Sequence, residues 1–316
     1  MKSSRKFLVQ GVVSGVVASG LWLAPVSASA QEASNLADLA SEQDPPVFDS
    51  PDKAAAAFKK ALAANDFKRV AVLLGLDAAA LKATEGAQEA YDQIRVAAAE
   101  QLVVAGEDDR KVLSIGADMW PLPFPLSKGD DGKWAFDTYA GLEEVVNRRI
   151  GENEIEAIGV ARAYVDAQED YSGEDHDGDG VNEYAQKLLS SDGQTDGLYW
   201  PEEQGDGESP AGSFVDAGAI EKAKAGDGYF GYRFRILTGQ GDNIAGGKYS
   251  YIVNDNMVSG FALVAWPVSY EVTGVKTFVV NTAGIVYEKD LGGDTEKAAA
   301  AITDFDPDDS WTITEE

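Results

Sequence analysis

The residues whose types and spacing could do chemistry lie in one run, Glu174-Asp175-His176-Asp177-Gly178-Asp179-Gly180-Val181-Asn182-Glu183. Carboxylates at alternate positions, closed by a glycine, let a short loop wrap oxygens around a hard cation. In the D-x-D-x-D-G pattern, positions one, three and five point inward, and the sixth turns too sharply for a residue with a Cβ. Those positions fall on Asp175, Asp177, Asp179 and Gly180, with Val181 placed to offer its carbonyl and Glu183 at position nine. At position twelve, where an EF-hand needs a bidentate Glu, stands Gln186. The spacing therefore predicts a Ca²⁺ loop with ligands Asp175, Asp177, Asp179, Val181 and Glu183 that is not an EF-hand. The alternative is an acidic, solvated turn.

Other chemistries find less support. His176 is the only histidine, and a lone loop histidine reads as solvent-exposed rather than catalytic. No serine sits in a G-x-S-x-G elbow, and the single histidine has no triad partner in view. Among 54 acids, accidental carboxylate pairs of the glycosidase kind are unavoidable. Thr238-Gly239-Gln240-Gly241-Asp242 is Gly-rich but precedes no helix, so it reads as an adaptable surface loop rather than a phosphate cradle. Arg233 and Arg235 share one face of a predicted strand and are expected to pair with acids, or to grip an anionic ligand. Tyr199-Trp200-Pro201 could stack on a sugar or anchor its loop into the core.

The setting is legible at the N-terminus. Lys2, Arg5 and Lys6 precede an apolar stretch from Phe7 to Leu23, and Ala28-Ser29-Ala30 supplies the small residues of a cleavage site before Gln31. Loss of that leader takes the net charge from −28 to −31, three positive charges fewer. Such a field repels nucleic acid and anionic membranes. The absence of cysteine removes disulfides, thiolate metal sites and thiol nucleophiles together.

These residues need elements to hold them. Residues 1–30 read as a signal peptide and 31–48 as a linker. Ser50-Pro51-Asp52 opens a helix, helical patterns follow at 54–62, 70–74 and 87–104, and strands at 111–115, 121–126 and 133–137. The alternating Pro121, Pro123 and Pro125 mark an edge strand. Helix signals at 142–150 stop at Gly151, and Asn153 with Glu156 forms a capping box for a second helix to Tyr171. Its stripe Ala157, Val160, Ala161, Tyr164, Ala167 and Tyr171 has one face to bury. Strands at 229–236, 248–253, 260–265, 275–281 and 285–288 predict an antiparallel meander packed on a helix. The fold class is α+β, with an N-terminal unit 49–140 and a C-terminal unit 141–316.

Helices followed by strands ending in Gly132-Lys133-Trp134-Ala135-Phe136 resemble the cone of nuclear transport factor 2, with the aromatics Trp120, Trp134 and Phe136 read as core. The C-terminal unit is similar to the globular half of type IV pilins and pseudopilins, without their N-terminal acid. A more specific resemblance is to the bacterial domain of unknown function 2950. It is carried by Asn147-Arg148-Arg149-Ile150-Gly151, Ala163-Tyr164-Val165-Asp166-Ala167-Gln168, the Asp-Gly-Asp-Gly loop, Asp196-Gly197-Leu198-Tyr199-Trp200-Pro201, Gly231 to Leu237, Gly260 to Pro267 and Val286 to Gly292. It implies an exported bacterial protein and brings no catalytic residues. The expectation is a non-catalytic, Ca²⁺-stabilised binding or structural module, periplasmic or secreted. Its partner would be an envelope protein or glycan, with no stable membrane insertion once the leader is removed. The alternative is a periplasmic hydrolase using a carboxylate pair on a cell-wall or polysaccharide substrate.

Overall fold

Ser50 accepts a hydrogen bond from the Lys53 N–H (3.3 Å) and Pro51 takes the first helical position, so helix α1 spans Pro51–Ala63 as the sequence predicts. The computed structural model describes residues 36–204 and 207–315; the expected leader and linker residues 31–35 lie outside them. Asp66 and Asp77 cap α2 (Phe67–Leu73) and α3 (Ala78–Ala83) with their carboxylates, and α4 follows at Ala87–Glu100. This last helix ends short of the expected Val104. Leu102–Ala105 are drawn into strand β1, paired antiparallel with β2 (Arg110–Ile115).

The expected edge strand 121–126 is divided. Two pieces, β3 (Trp120–Pro121) and β4 (Leu126–Lys128), pair with opposite ends of β2, and β4 lies inside the sheet between β2 and β5 (Trp134–Phe136). Between the two pieces, Leu122 and Phe124 are buried in the core, a stronger pull than a continuous ladder with missing proline donors. Helices and sheet enclose one apolar cluster that includes Phe58, Leu73, Leu113, Trp134 and Phe136, with Trp120 packed at its margin.

Helix α5 (Thr138–Tyr171) corrects the expected break at Gly151, for it runs through it unbroken for 34 residues, about 50 Å at 1.5 Å per residue. Its first turn is seated on the first core, with Thr138 Oγ1 donating to the Leu74 carbonyl (2.9 Å). Asn153, expected as a cap, and its neighbour Glu154 bond far along the chain instead. Asn153 Nδ2 donates to the Thr273 carbonyl (2.8 Å), and Glu154 accepts from the Val275 and Lys276 N–H groups (2.8 and 2.9 Å). A glycine costs a helix only about 1 kcal/mol, less than these anchors and the packing at both ends supply.

The second core gathers Ala157, Ala161, Tyr164, Ala167 and Tyr171 of α5 against a five-stranded antiparallel sheet. A helix unforeseen in the sequence, α6 (Ala217–Ala225), precedes strand β6 (Tyr232–Leu237). The segment 248–253, expected as a sheet strand, instead supplies halves of two short ribbons: β7 (Gly239–Gln240) with β8 (Tyr249–Ser250), and β9 (Ile252–Val253) with β10 (Asn256–Met257). Gln240 is buried and donates to the Ala245 and Gly247 carbonyls, which pins the Gly-rich loop. The sheet is completed by β11 (Ala262–Pro267), β12 (Lys276–Asn281) and β13 (Tyr287–Asp290). After α7 (Thr295–Ala300) comes β14 (Thr312–Ile313), giving the order β14-β13-β12-β11-β6. α5 lies across β11 and β12, and β6 is the strand at the far edge. The protein is α+β, and among the described residues no helix is long and apolar enough to cross a membrane.

Candidate metal centre

The acidic run begins where α5 ends at Tyr171. Gly178 (φ 79°) and Gly180 (φ 89°) take the left-handed conformation that the loop's tight turns require. The Asp175 carboxylate accepts from the Gly178 and Gly180 N–H groups (2.7 and 2.9 Å), Asp177 from Asp179 N–H (3.1 Å) and Asp179 from Val181 N–H (2.7 Å). These amide bonds, Gly180's first and then Gly178's, hold the Asp175 carboxyl below the usual carboxylate range, so it stays ionised. Oxygens of Asp175, Asp177 and Asp179 lie within 4.8 Å of one another. Among the described residues this is the one group of three or more such side chains close enough to share an ion.

Longer-range contacts fix the loop's exit. Asn256 Nδ2 donates to Asp179 Oδ2 (2.7 Å), and Glu183 Oε2 accepts from Met257 N–H (2.9 Å). Glu183 thus stands outside the three-carboxylate group, and Val181 is exposed at its border. Gln186, the departure from the EF-hand pattern, donates to the Asp255 carbonyl (2.7 Å). Its amide N–H makes a bond that Glu could not. Asn254 and Asp255 both have positive φ (50° and 71°), which forms the tight β9–β10 turn that presents these partners. Asn254-Asp255-Asn256 reads in the sequence as a turn between strands, and it is one; that Asn256 reaches Asp179 was not legible there.

His176 is half-buried rather than exposed. Its ring stacks on Tyr171 (centroids 3.9 Å apart, planes 18°) and lies 5.9 Å from Trp200. Trp200 is buried, its indole N–H reaching the Gly207 carbonyl, so it anchors its loop rather than offering a face to a sugar. Burial, and then the charges of Glu183, Asp196 and Asp177, push the Tyr171 hydroxyl up to about 12. The structure parts the two arginines. Arg233 pairs with Glu296 as expected, whereas Arg235 donates to the Ala299, Ala300 and Ile302 carbonyls at the C-terminal end of α7. Both guanidiniums are engaged within the protein. Tyr199 is half-buried and lines an apolar cavity between α5, α6 and β6.

No curated protein and no solved structure matches this chain. Residues 46–314 match the family described as Protein of unknown function (DUF2950), from the linker's end through both cores to the last strand. The acidic loop, the arginine-bearing strand and the cavity all lie inside that span, and the chain belongs to this family.

Proposed function

We propose that the protein is an exported, non-catalytic module of the bacterial envelope in which Ca²⁺ bound at Asp175, Asp177 and Asp179 braces the end of α5 against the β9–β10 turn. The observation that carries this reading is the convergence of three carboxylates within 4.8 Å on a loop ordered by its own amide bonds. Ca²⁺ takes six to eight oxygens in flexible geometry. The Val181 carbonyl, Glu183 through a bridging water, and further water would complete such a shell. Residues 49–140 and 141–316 serve as two units, each around its own core, with α5 as the shared member. The leader sends the chain to the periplasm or medium, where an envelope protein or glycan is its partner.

The test is a thermal melt in EDTA, Ca²⁺ and Mg²⁺ on the mature chain and on Asp177→Ala, whose carboxylate bonds only within the loop. At a hundredfold excess over the dissociation constant, a cation selective for the folded state adds about 2.7 kcal/mol. At about 2–4 °C per kcal/mol, this is a rise of roughly 5–10 °C. Mg²⁺ should do less, because it prefers a tighter octahedral shell and gives up water reluctantly. An equal Ca²⁺ shift in the wild type and Asp177→Ala would reduce the effect to screening of the chain's negative charge and end the metal reading.

A further inference from the structure

α5 covers β11 and β12 but stops short of covering the edge strand β6. The apolar face of β6 is instead roofed by α6 and by irregular chain, and a cavity of about 450 Å³ remains beneath. It is lined by Val160, Ala163 and Ala167 of α5, Ile220 and Ala223 of α6, and Phe234 and Leu263 of the sheet. The size falls in the range of small-molecule sites, about 300–1,000 Å³.

The chemistry of the lining decides what fits. Its polar side chains are Tyr164, Tyr199, Tyr229, Tyr232, Arg233 and Trp266. Tyr164 donates to the Ala262 carbonyl and accepts from Gln168. Tyr232 donates to the Lys276 carbonyl, and Tyr229 accepts from Asp216 N–H. Arg233 and the Trp266 indole both hold Glu296. Five of the six are thus engaged within the protein. Ordered water needs two to four polar partners each and takes about 30 Å³. Roughly fifteen waters' worth of space therefore faces a wall with almost nothing to offer them. Two of the chain's exposed large apolar residues, Phe214 (51% exposed) and Leu189 (43%), also border this cavity, so its rim is apolar as well.

We propose that the cavity is a binding site for an uncharged hydrocarbon body of roughly fifteen heavy atoms, a single acyl or terpenoid group. The lining cation, Arg233, is paired with Glu296 rather than left to hold a carboxylate or phosphate, and the Tyr199 and Tyr229 hydroxyls are too few to orient a sugar. The ligand displaces poorly satisfied water and covers Phe214 and Leu189. This site is separate from the acidic loop and does not depend on the metal reading.

The probe is N-phenyl-1-naphthylamine, an uncharged fluorophore, titrated into the mature protein in EDTA and in Ca²⁺. Saturable binding at one per chain in both conditions is expected, with displacement by 1-dodecanol or farnesol and at least tenfold weaker displacement by ionised dodecanoate. Dodecanol against farnesol separates the acyl from the terpenoid source. Ala163→Phe and Ala223→Phe fill the cavity from α5 and from α6, and each should weaken the probe at least tenfold while leaving the far-ultraviolet circular dichroism unchanged. If one variant fails to fold, the other decides. Wild-type affinity in a folded filled variant, absence of saturable binding, or equal displacement by dodecanoate would each overturn the proposal.

Discussion

Replacing Gly151 with alanine tests whether α5 is one helix, on which the coupling of the two cores depends. A helix that ended at Gly151 would use the glycine as a left-handed cap, and alanine there would be strained. A helix that runs through it should gain. Gly151 lies inside α5, not among the positive-φ glycines, and a Cβ built on it meets nothing within 4 Å. The gain is then the difference in helix propensity, about 0.8–1 kcal/mol, part of it from the less flexible unfolded chain. That is roughly 2–4 °C in midpoint for a unit of this size. Gly159, equally open and in the same helix, is the internal standard and should gain about as much. Gly141 is the opposite control: its added Cβ would lie 2.0 Å from Cδ1 of the buried Phe124. Overpacking of that kind costs about 1–3 kcal/mol, enough to cancel or outweigh the propensity gain. The assay is urea and thermal unfolding of the three variants, followed by circular dichroism at 222 nm. If Gly151→Ala lowers the midpoint while Gly159→Ala raises it, the continuous helix is wrong.

Two further outcomes follow from single side chains. Gln168 is fully buried and holds both the N–H and the C=O of Ala185 (2.8 Å each), so Gln168→Leu orphans two buried backbone groups and should cost about 3 kcal/mol at about 1–3 each; a loss below 0.5 kcal/mol in urea melts would contradict the bond pattern. Asp49 lies between Lys133 and Lys53, which hold its carboxyl down at about 2 against an ordinary 3.8. A depressed carboxyl stabilises the fold above its unfolded pKa and loses that contribution as pH falls. The window is from about pH 4 to about pH 2, and Asp49→Asn should flatten the melting midpoint there relative to wild type. Parallel curves for the two proteins would refute the bridge.

What the sequence made legible was local. The Ser50-Pro51 helix start and the turns that bring the Asp175, Asp177 and Asp179 carboxylates together need only neighbours along the chain, and both stand where their residues imply. The misreadings share a cause. Gly151 and the Asn153/Glu156 pair are genuine local stop and start signals, worth about 1 kcal/mol each, but Asn153 and its neighbour Glu154 bond instead to Thr273 and Val275, more than a hundred residues away. Tertiary bonds of that kind leave no trace in a local pattern. The segment 248–253 looked like a sheet strand by composition, yet β6 and β11 pair directly with each other and leave it no ladder to join. α6 was the avoidable omission. Asp216 caps Ala219 and Gly226 closes the helix in the left-handed conformation, both visible in Asp216-Ala217-Gly218-Ala219-Ile220 and Gly226 but masked by the acidic, glycine-rich run around them.

The acidic loop shows why a motif of consecutive residues is not yet a site. Five residues from Asp175 to Asp179 supply the carboxylates, but three like charges close together would spread if only their own turns held them. Asn256 is 77 residues further along, and its amide takes Asp179 Oδ2. Met257 N–H takes Glu183 from a separation of 74 residues. Upstream, Gln168 bridges Tyr164 to Ala185 and so ties the helix that precedes the loop to the chain that leaves it. The Asn256 and Met257 ties use neutral amide donors, which steady a carboxylate without neutralising it. The loop is therefore held in place while its negative charge is left uncompensated. On the proposed reading a divalent cation would supply the missing charge, whereas a nearby lysine would close the loop into an ordinary ion pair.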